Sequence, residues 1–178
     1  TRMGFKHAAY RGLETGDRDV AIWVVKQNDI FIVLKSPLVP GNREMGDHQM
    51  LHGDGVRDIA FTVDDATGIF KKAVSRGAKA IREPWTESDE HGSVTFATVQ
   101  TYGDTVHTFV QRNDYKGLFL PGFKATTYVD PIDSLLPSTN LLVIDHIVGN
   151  QGDNDMVPVC EWYEKMLDFH RFWSVDDE

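Results

Sequence analysis

Three places in the chain carry histidine or acidic side chains at spacings that could support metal chemistry. The first is His146, which lies in the short apolar run 141–148, a pattern that predicts a β-strand. The backbone of a strand fixes where an imidazole ring points, so a histidine in this setting is a suitable metal ligand. A single imidazole does not make a metal site, however, and further ligands are needed.

The second place is the polar segment 41–57. Its chelating side chains are Asp47, His48, His52 and Asp54. His48 and His52 would share one face if the segment were helical. The same segment contains three glycines that are expected to break such a helix, Gly46, Gly53 and Gly55. The sequence therefore favours a solvated or domain-packing loop here over a metal site.

The third place is the loop 149–156, where Asp153 and Asp155 suggest calcium. The remaining ligands of an EF-hand are missing, so a calcium site is not expected. Cys160 is the only cysteine, and it lies beside the apolar face of a predicted helix. It is expected to be a partly buried structural thiol.

Composition excludes several classes of protein. The chain has 178 residues and a formal net charge of −9, which argues against binding to nucleic-acid phosphates or anionic lipid. No apolar run reaches the roughly 18 residues of a membrane span, and no signal-peptide pattern opens the sequence. With one cysteine an internal disulfide cannot form, which suits a reducing, cytoplasmic setting.

Hydrophobic periodicity predicts the elements that would position these residues. β-rich runs at 20–25 and 30–34 flank a polar turn and predict a hairpin, and a second hairpin is expected at 94–110. A strand at 58–63, a helix capped by Asp64 or Asp65, and a strand at 78–82 that stops before Pro84 lie between them. A long irregular linker follows, then the strand with His146 and a last helix after Pro158.

An internal repeat connects these predictions. Residues 57–60 and 145–148 lie 88 positions apart, and each group opens a strand that precedes a helix with the same apolar spacing. The strand–helix–strand unit is expected three times, incomplete at both ends of the chain. Asp58 takes the place of His146 in the second unit, where we expect it to be a strand-opening or salt-bridged residue.

Seven motifs of this sequence resemble animal 4-hydroxyphenylpyruvate dioxygenases. They are YRGLETG at 10–16, GDGV at 53–56, REPW at 82–85, QTYGDT at 100–105, FLPG at 119–122, IDHIVGN at 144–150 and FHRFWSVDD at 169–177. The resemblance implies an α+β chain with the vicinal-oxygen-chelate fold, built from repeated βαβββ modules with curved mixed sheets. It also implies a chain truncated at both ends, with a metal-free N-terminal domain at 1–112, a linker at 113–140 and the start of a catalytic domain at 141–178.

The resemblance further implies an Fe(II) cofactor held by two histidines and one glutamate. His146 matches the first of these histidines, and the other two ligands belong to a part of the family that this sequence lacks. The family's substrate-contacting residues also fall there, so no catalytic or substrate-binding residue is assigned in this chain.

The implied reaction consumes 4-hydroxyphenylpyruvate and O2, and gives homogentisate in tyrosine catabolism. It combines oxidative decarboxylation, ring hydroxylation and side-chain migration. The whole protein is expected to be a cytoplasmic homodimer, with apolar strands near residues 20–34 packed between subunits, whereas this chain alone is expected to be inactive. Two alternatives stay open: a 4-hydroxymandelate synthase-like enzyme, and a non-catalytic binding or dimerisation module.

Overall fold

The computed structural model describes residues 2–132 and 134–174, which form two compact units. The first unit comprises the residues up to 55 together with 88–92 and 115–148. The second comprises 56–87, 93–114 and the residues from 149 onward. Thr1 and the last three residues of the motif 169–177 lie outside the described residues. No helix in the described part of the chain is long and apolar enough to cross a membrane.

The first unit is organised on a three-stranded antiparallel sheet. Strands β1 (Lys6–Arg11), β2 (Val20–Gln27) and β3 (Ile30–Pro37) are neighbours in that order. The hairpin predicted from the sequence is confirmed, and its turn places Asn28 at φ 49°, a conformation that asparagine tolerates. A single 3-10 turn at Leu13–Thr15 lies in the otherwise irregular connection between β1 and β2.

The prediction of a loop at 41–57 is wrong for most of the segment, because helix α1 (Arg43–His52) forms there. The Asn42 side chain caps its first turn by accepting a hydrogen bond from the Met45 amide at 3.2 Å. Gly53, with φ 66°, ends the helix, and its amide donates to the Gln49 carbonyl. A glycine just beyond a helix helps to satisfy the last carbonyls, so Gly53 ends the helix, whereas Gly46 lies in its interior without breaking it.

The second unit contains one complete strand–helix–strand–strand–strand module, as predicted. Its elements are β4 (Phe61–Thr62), α2 (Ala66–Ser75), β5 (Lys79–Asp89), β6 (Gly92–Gln100) and β7 (Val106–Gln111). The sheet has the order β4-β7-β6-β5, with β4 parallel to β7 and the second predicted hairpin antiparallel. Asp65 caps α2 by accepting from the Gly68 amide at 2.8 Å.

The core of this unit lies between α2 and the sheet. Phe70 and Ala73 on α2 pack with Val99 and Phe109 from β6 and β7, and all four are at most 2% exposed. Their spacing on α2 follows from the i, i+3, i+4 repeat, which turns one apolar face toward the strands. Burying a phenylalanine side chain contributes about 1.5–3 kcal/mol, so this layer is a main source of stability.

Two strand boundaries differ from the sequence predictions. β5 continues through Pro84 to Asp89, although Pro84 was expected to end it. The strand lies at the edge of the sheet, where a residue without an amide hydrogen removes no ladder bond. The strand expected at 58–63 is shortened to Phe61–Thr62, with a single bridge from Asp58 to Val106.

The predicted last helix is confirmed as α3 (Met156–Leu167), and it packs against α2 within the second unit. Trp162, Met166 and Leu167 contact the core cluster. Asp168 follows the helix in the left-handed conformation, with φ 57°. Its carboxylate pairs with Lys72 and with Arg76, whose Nη1 lies 2.5 Å away, so the C-terminus of α3 is tied to α2.

The prediction of a strand around His146 is wrong. Among the described residues between Gln111 and Met156, none belongs to a helix or a ladder strand. A strand exists only where another backbone pairs with it, and this run makes a different set of bonds. Leu142 accepts from the Asp29 amide at 3.1 Å, and Leu141 accepts from the Asn28 side chain at 2.7 Å.

Candidate functional site

His146 lies in the first unit, in an irregular and exposed segment. Its side chain is 73% exposed, and its Nδ1 is 2.6 Å from a carboxylate oxygen of Asp145. A carboxylate beside one ring nitrogen favours the tautomer with hydrogen on that nitrogen, which leaves Nε2 free to donate its lone pair. Histidines that bind metals usually have such a second partner. The chemistry of His146 therefore fits a metal ligand.

The described residues do not supply the rest of an iron site. Among residues 2–132 and 134–174, no group of three histidine, cysteine, aspartate or glutamate side chains could hold a metal ion. Iron with two histidines and one carboxylate needs three protein ligands. The described residues therefore do not form such a site.

The acidic pair and the cysteine identified in the sequence lie on α3 or just before it. Asp155 is the N-cap residue of α3 without a capping side-chain bond, and Asp153 lies in the turn before it. Cys160 is half-buried on α3, as expected for a structural thiol. None of them joins a metal cluster within the described parts of the chain.

Asp58, which replaces His146 in the repeat, is used to align two strands. One of its carboxylate oxygens accepts from the Thr108 amide at 3.0 Å, and the other accepts from the Thr108 hydroxyl at 2.6 Å. The prediction of a strand-opening residue is confirmed by these bonds. Asp58 holds the start of the β4 segment beside β7.

A buried histidine and its tyrosine partner were missed by the sequence analysis. His107 on β7 is 1% exposed, and its Nδ1 lies 2.8 Å from the Ile59 carbonyl oxygen. Its Nε2 lies 2.9 Å from the hydroxyl of Tyr163 on α3. The carbonyl can only accept, so Nδ1 carries the hydrogen and Nε2 accepts from the tyrosine. β7 is buried on both faces, and the sequence signal that could have placed His107 inside is its position two residues before the apolar Phe109, on the same face of the strand.

Burial determines the charge state of both partners. Desolvation lowers the pKa of His107 below its ordinary value of 6.5, against the opposing effects of the Ile59 carbonyl and the Asp58 carboxylate. Desolvation also raises the pKa of the Tyr163 hydroxyl to about 12. A neutral imidazole and a neutral phenol are therefore joined by a hydrogen bond, and the pair fastens α3 to the sheet of the second unit.

The chelating pair in the segment 41–57 acquires a definite geometry from α1. His48 and His52 stand one helical turn apart, and their ring centroids are 4.7 Å apart. His52 is exposed and His48 is half-buried. The acidic side chains of this segment do not complete a set of three ligands in the described structure, where Asp54 accepts a bond from Gln49 at 3.2 Å.

Comparison with known proteins gives a consistent set of relatives. The chain is 56% identical over 178 residues to the 4-hydroxyphenylpyruvate dioxygenase of Xenopus tropicalis, covering 99% of this chain and 45% of that protein. The enzyme of the same name from Danio rerio gives the same identity and coverage. The Caenorhabditis briggsae protein is 51% identical over 175 residues, covering 98% of this chain and 44% of its own length. No protein-family model matches the chain.

A solved structure supports the fold. A variant of 4-hydroxymandelate synthase from Streptomyces coelicolor superposes with a TM-score of 0.76 at 26% identity, covering 94% of this chain and 46% of that one. The predicted α+β, vicinal-oxygen-chelate fold is confirmed. The predicted resemblance is confirmed as well: over 99% of its length the chain is homologous to 4-hydroxyphenylpyruvate dioxygenases, and it spans about 45% of their length.

Proposed function

We propose that this chain is part of a 4-hydroxyphenylpyruvate dioxygenase, which converts 4-hydroxyphenylpyruvate and O2 to homogentisate and CO2 in tyrosine catabolism. The observation that carries the proposal is the 56% identity with relatives of that name over 99% of the chain. The match covers 99% of the chain, so it includes the segment around His146. The proposed location is the cytoplasm, which the single cysteine supports.

His146 is the proposed Fe(II) ligand of the whole protein. Its support is the motif match, the exposed side chain and the Asp145 carboxylate at Nδ1. Fe(II), when bound by three protein ligands, would leave open positions at which a 2-oxo acid and O2 react. The second histidine and the glutamate would come from the remaining length of the whole protein. No step of the reaction is assigned to the described residues.

The proposed domain organisation follows the same relatives. Residues 1–112 would be an iron-free N-terminal domain, 113–140 a linker, and 141–178 the start of the catalytic domain. The lack of helix or strand in the described residues between Gln111 and Met156 supports a linker. Limited proteolysis of the whole protein tests this assignment, because a linker should be cut within 113–140 before either flanking segment.

A homodimer is the proposed assembly of the whole protein. β3 exposes four consecutive apolar side chains, from Phe31 at 41% to Leu34 at 55% exposure, and such a strand favours burial in an interface. Sedimentation equilibrium of the whole protein measures its mass directly. A monomer at micromolar concentration would contradict the assembly without affecting the proposed reaction.

The experiment that tests the function uses the whole protein. We expect O2 uptake and CO2 release with 4-hydroxyphenylpyruvate, with homogentisate as the product. His146→Ala should abolish iron binding and turnover, and His91→Ala, at an exposed histidine of the β5–β6 turn, should retain both. Turnover in His146→Ala would refute the ligand assignment.

Product analysis separates the two related enzymes. 4-Hydroxymandelate synthase is the name of the superposed structure, so it is the second candidate. The two activities differ in whether the ring or the side chain is hydroxylated. Formation of 4-hydroxymandelate instead of homogentisate would favour the second candidate, and the absence of both products would favour a non-catalytic module.

A further inference from the structure

Helix α1 presents two imidazoles in an arrangement that the proposed iron site does not use. His48 and His52 are separated by four positions, which places their side chains on one face of a helix. Their ring centroids are 4.7 Å apart and their planes are inclined at 47°. Both residues lie in the first unit, as part of a single element.

The ring separation can be compared with the geometry of a chelated metal. A metal–nitrogen bond of roughly 2.0–2.1 Å places each ring centroid about 3.2 Å from the ion. Two such rings would be about 4.5 Å apart at a right angle and about 5.2 Å apart at a tetrahedral angle. The observed 4.7 Å lies between these values. The ring separation is therefore compatible with one ion bound by both imidazoles, once side-chain rotation turns a nitrogen of each ring toward it.

We propose that His48 and His52 form a two-imidazole surface site for a late divalent transition metal ion, with water completing its coordination. Imidazole is a good ligand for zinc and copper, whereas calcium and magnesium prefer oxygen. The site is separate from the proposed iron ligand His146, and it does not depend on the proposed function. The net charge of −9 also favours cations over anions at the surface.

Binding at this site has a structural consequence for α1. The helix has ten residues, none of them buried, and it includes Gly46 in its interior. A short helix with an internal glycine and little packing is marginally stable. A metal that binds residues on successive turns binds only the helical form, so it should increase the helicity of this segment.

The test uses the full 178-residue chain with Zn2+ as the probe, measured by titration calorimetry near neutral pH. We expect one zinc ion per chain. The second imidazole acts as a linked ligand, so His48→Gln and His52→Gln should each weaken binding roughly 100-fold. His91→Gln is the matched control, since it removes an exposed histidine outside α1 and should leave zinc affinity unchanged. Mg2+ should not compete.

A second measurement localises the ion. Cu2+ broadens the amide NMR signals of nearby residues, and we expect this effect to be centred on 43–53. Circular dichroism of the glutamine variants without metal checks that α1 and the rest of the chain remain folded. The proposal is overturned if neither glutamine variant weakens zinc binding, if zinc does not bind, or if broadening by Cu2+ centres elsewhere.

Discussion

The Tyr163 hydroxyl on α3 donates a hydrogen bond to Nε2 of His107 on β7, across 2.9 Å, although 56 positions separate the two residues. The imidazole is 1% exposed, and its other nitrogen is held by the Ile59 carbonyl. Every hydrogen-bonding group of this ring is therefore satisfied inside the second unit. The last helix of the chain is fastened to the sheet by a polar bond as well as by apolar packing.

Tyr163→Phe should destabilise the chain, because the variant leaves His107 Nε2 buried without a donor. A buried acceptor that loses its partner costs about 1–3 kcal/mol in the free energy of unfolding. Urea denaturation of the full chain measures this difference. Tyr128→Phe removes a hydroxyl from a residue that is 53% exposed, and this control should change stability by less than about 0.5 kcal/mol. Equal effects of the two variants would show that the His107 bond contributes nothing.

The stability of the chain should fall as pH is lowered through 6.5. Burial lowers the pKa of His107 in the folded state, so the unfolded chain binds the proton first, near its ordinary value of 6.5. Protonation then favours the unfolded state until the lower pKa of the folded state is reached. Urea midpoints measured above and below pH 6.5 should differ less for His107→Gln than for the wild type, because glutamine cannot titrate. An unchanged difference would assign the pH effect to other groups.

Asp168→Ala should destabilise the chain more than Asp168→Asn. Hydrogen bonds from Lys72 and then Arg76 lower the pKa of the Asp168 carboxyl, so it is ionised at neutral pH and attracts both cations. Both variants lose this attraction, but asparagine tolerates the φ of 57° much better than alanine. Thermal unfolding should give the order wild type, Asn, Ala. High salt should reduce the difference in unfolding temperature between the wild type and Asp168→Asn, since these charges are exposed.

Phe70→Ala should remove most of the apolar contact between α2 and its sheet. Phe70 is 2% exposed in the core cluster, and replacing a buried phenylalanine with alanine costs about 3–5 kcal/mol in stability. Met50→Ala is the control, at a side chain on α1 that is 86% exposed. Chemical denaturation of both variants measures the loss of stability that each causes. A loss below 1 kcal/mol for Phe70→Ala, as small as surface changes typically give, would contradict this description of the core.

Asp145→Asn should weaken iron binding by the whole protein without removing a proposed ligand. The carboxylate at 2.6 Å from His146 Nδ1 orients the ring. Loss of such a partner typically reduces metal affinity about 10–100-fold. Competition with a chelator measures the iron affinity, with Asp153→Asn as the control in the following loop. An affinity equal to that of the wild type would show that Asp145 does not position His146.

Local sequence patterns determined much of the fold. The hairpins β2–β3 and β6–β7 follow from β-rich runs around polar turns, and α2 and α3 follow from apolar residues at helical spacing. The resemblance to 4-hydroxyphenylpyruvate dioxygenases was also present in the motifs and was confirmed by whole-chain identity. These features depend on neighbours along the chain, so the sequence is sufficient to predict them.

Tertiary structure decided the rest of the fold, because each of the remaining features depends on a strand or a residue that lies far away in sequence. β5 passes through Pro84 since it occupies the edge of the sheet, a position that no local pattern reveals. The segment around His146 forms no strand in the described structure, since pairing depends on another backbone and not on apolar residues alone. His107 and Tyr163 meet only after α3 docks on the second unit, when desolvation makes their hydrogen bond necessary.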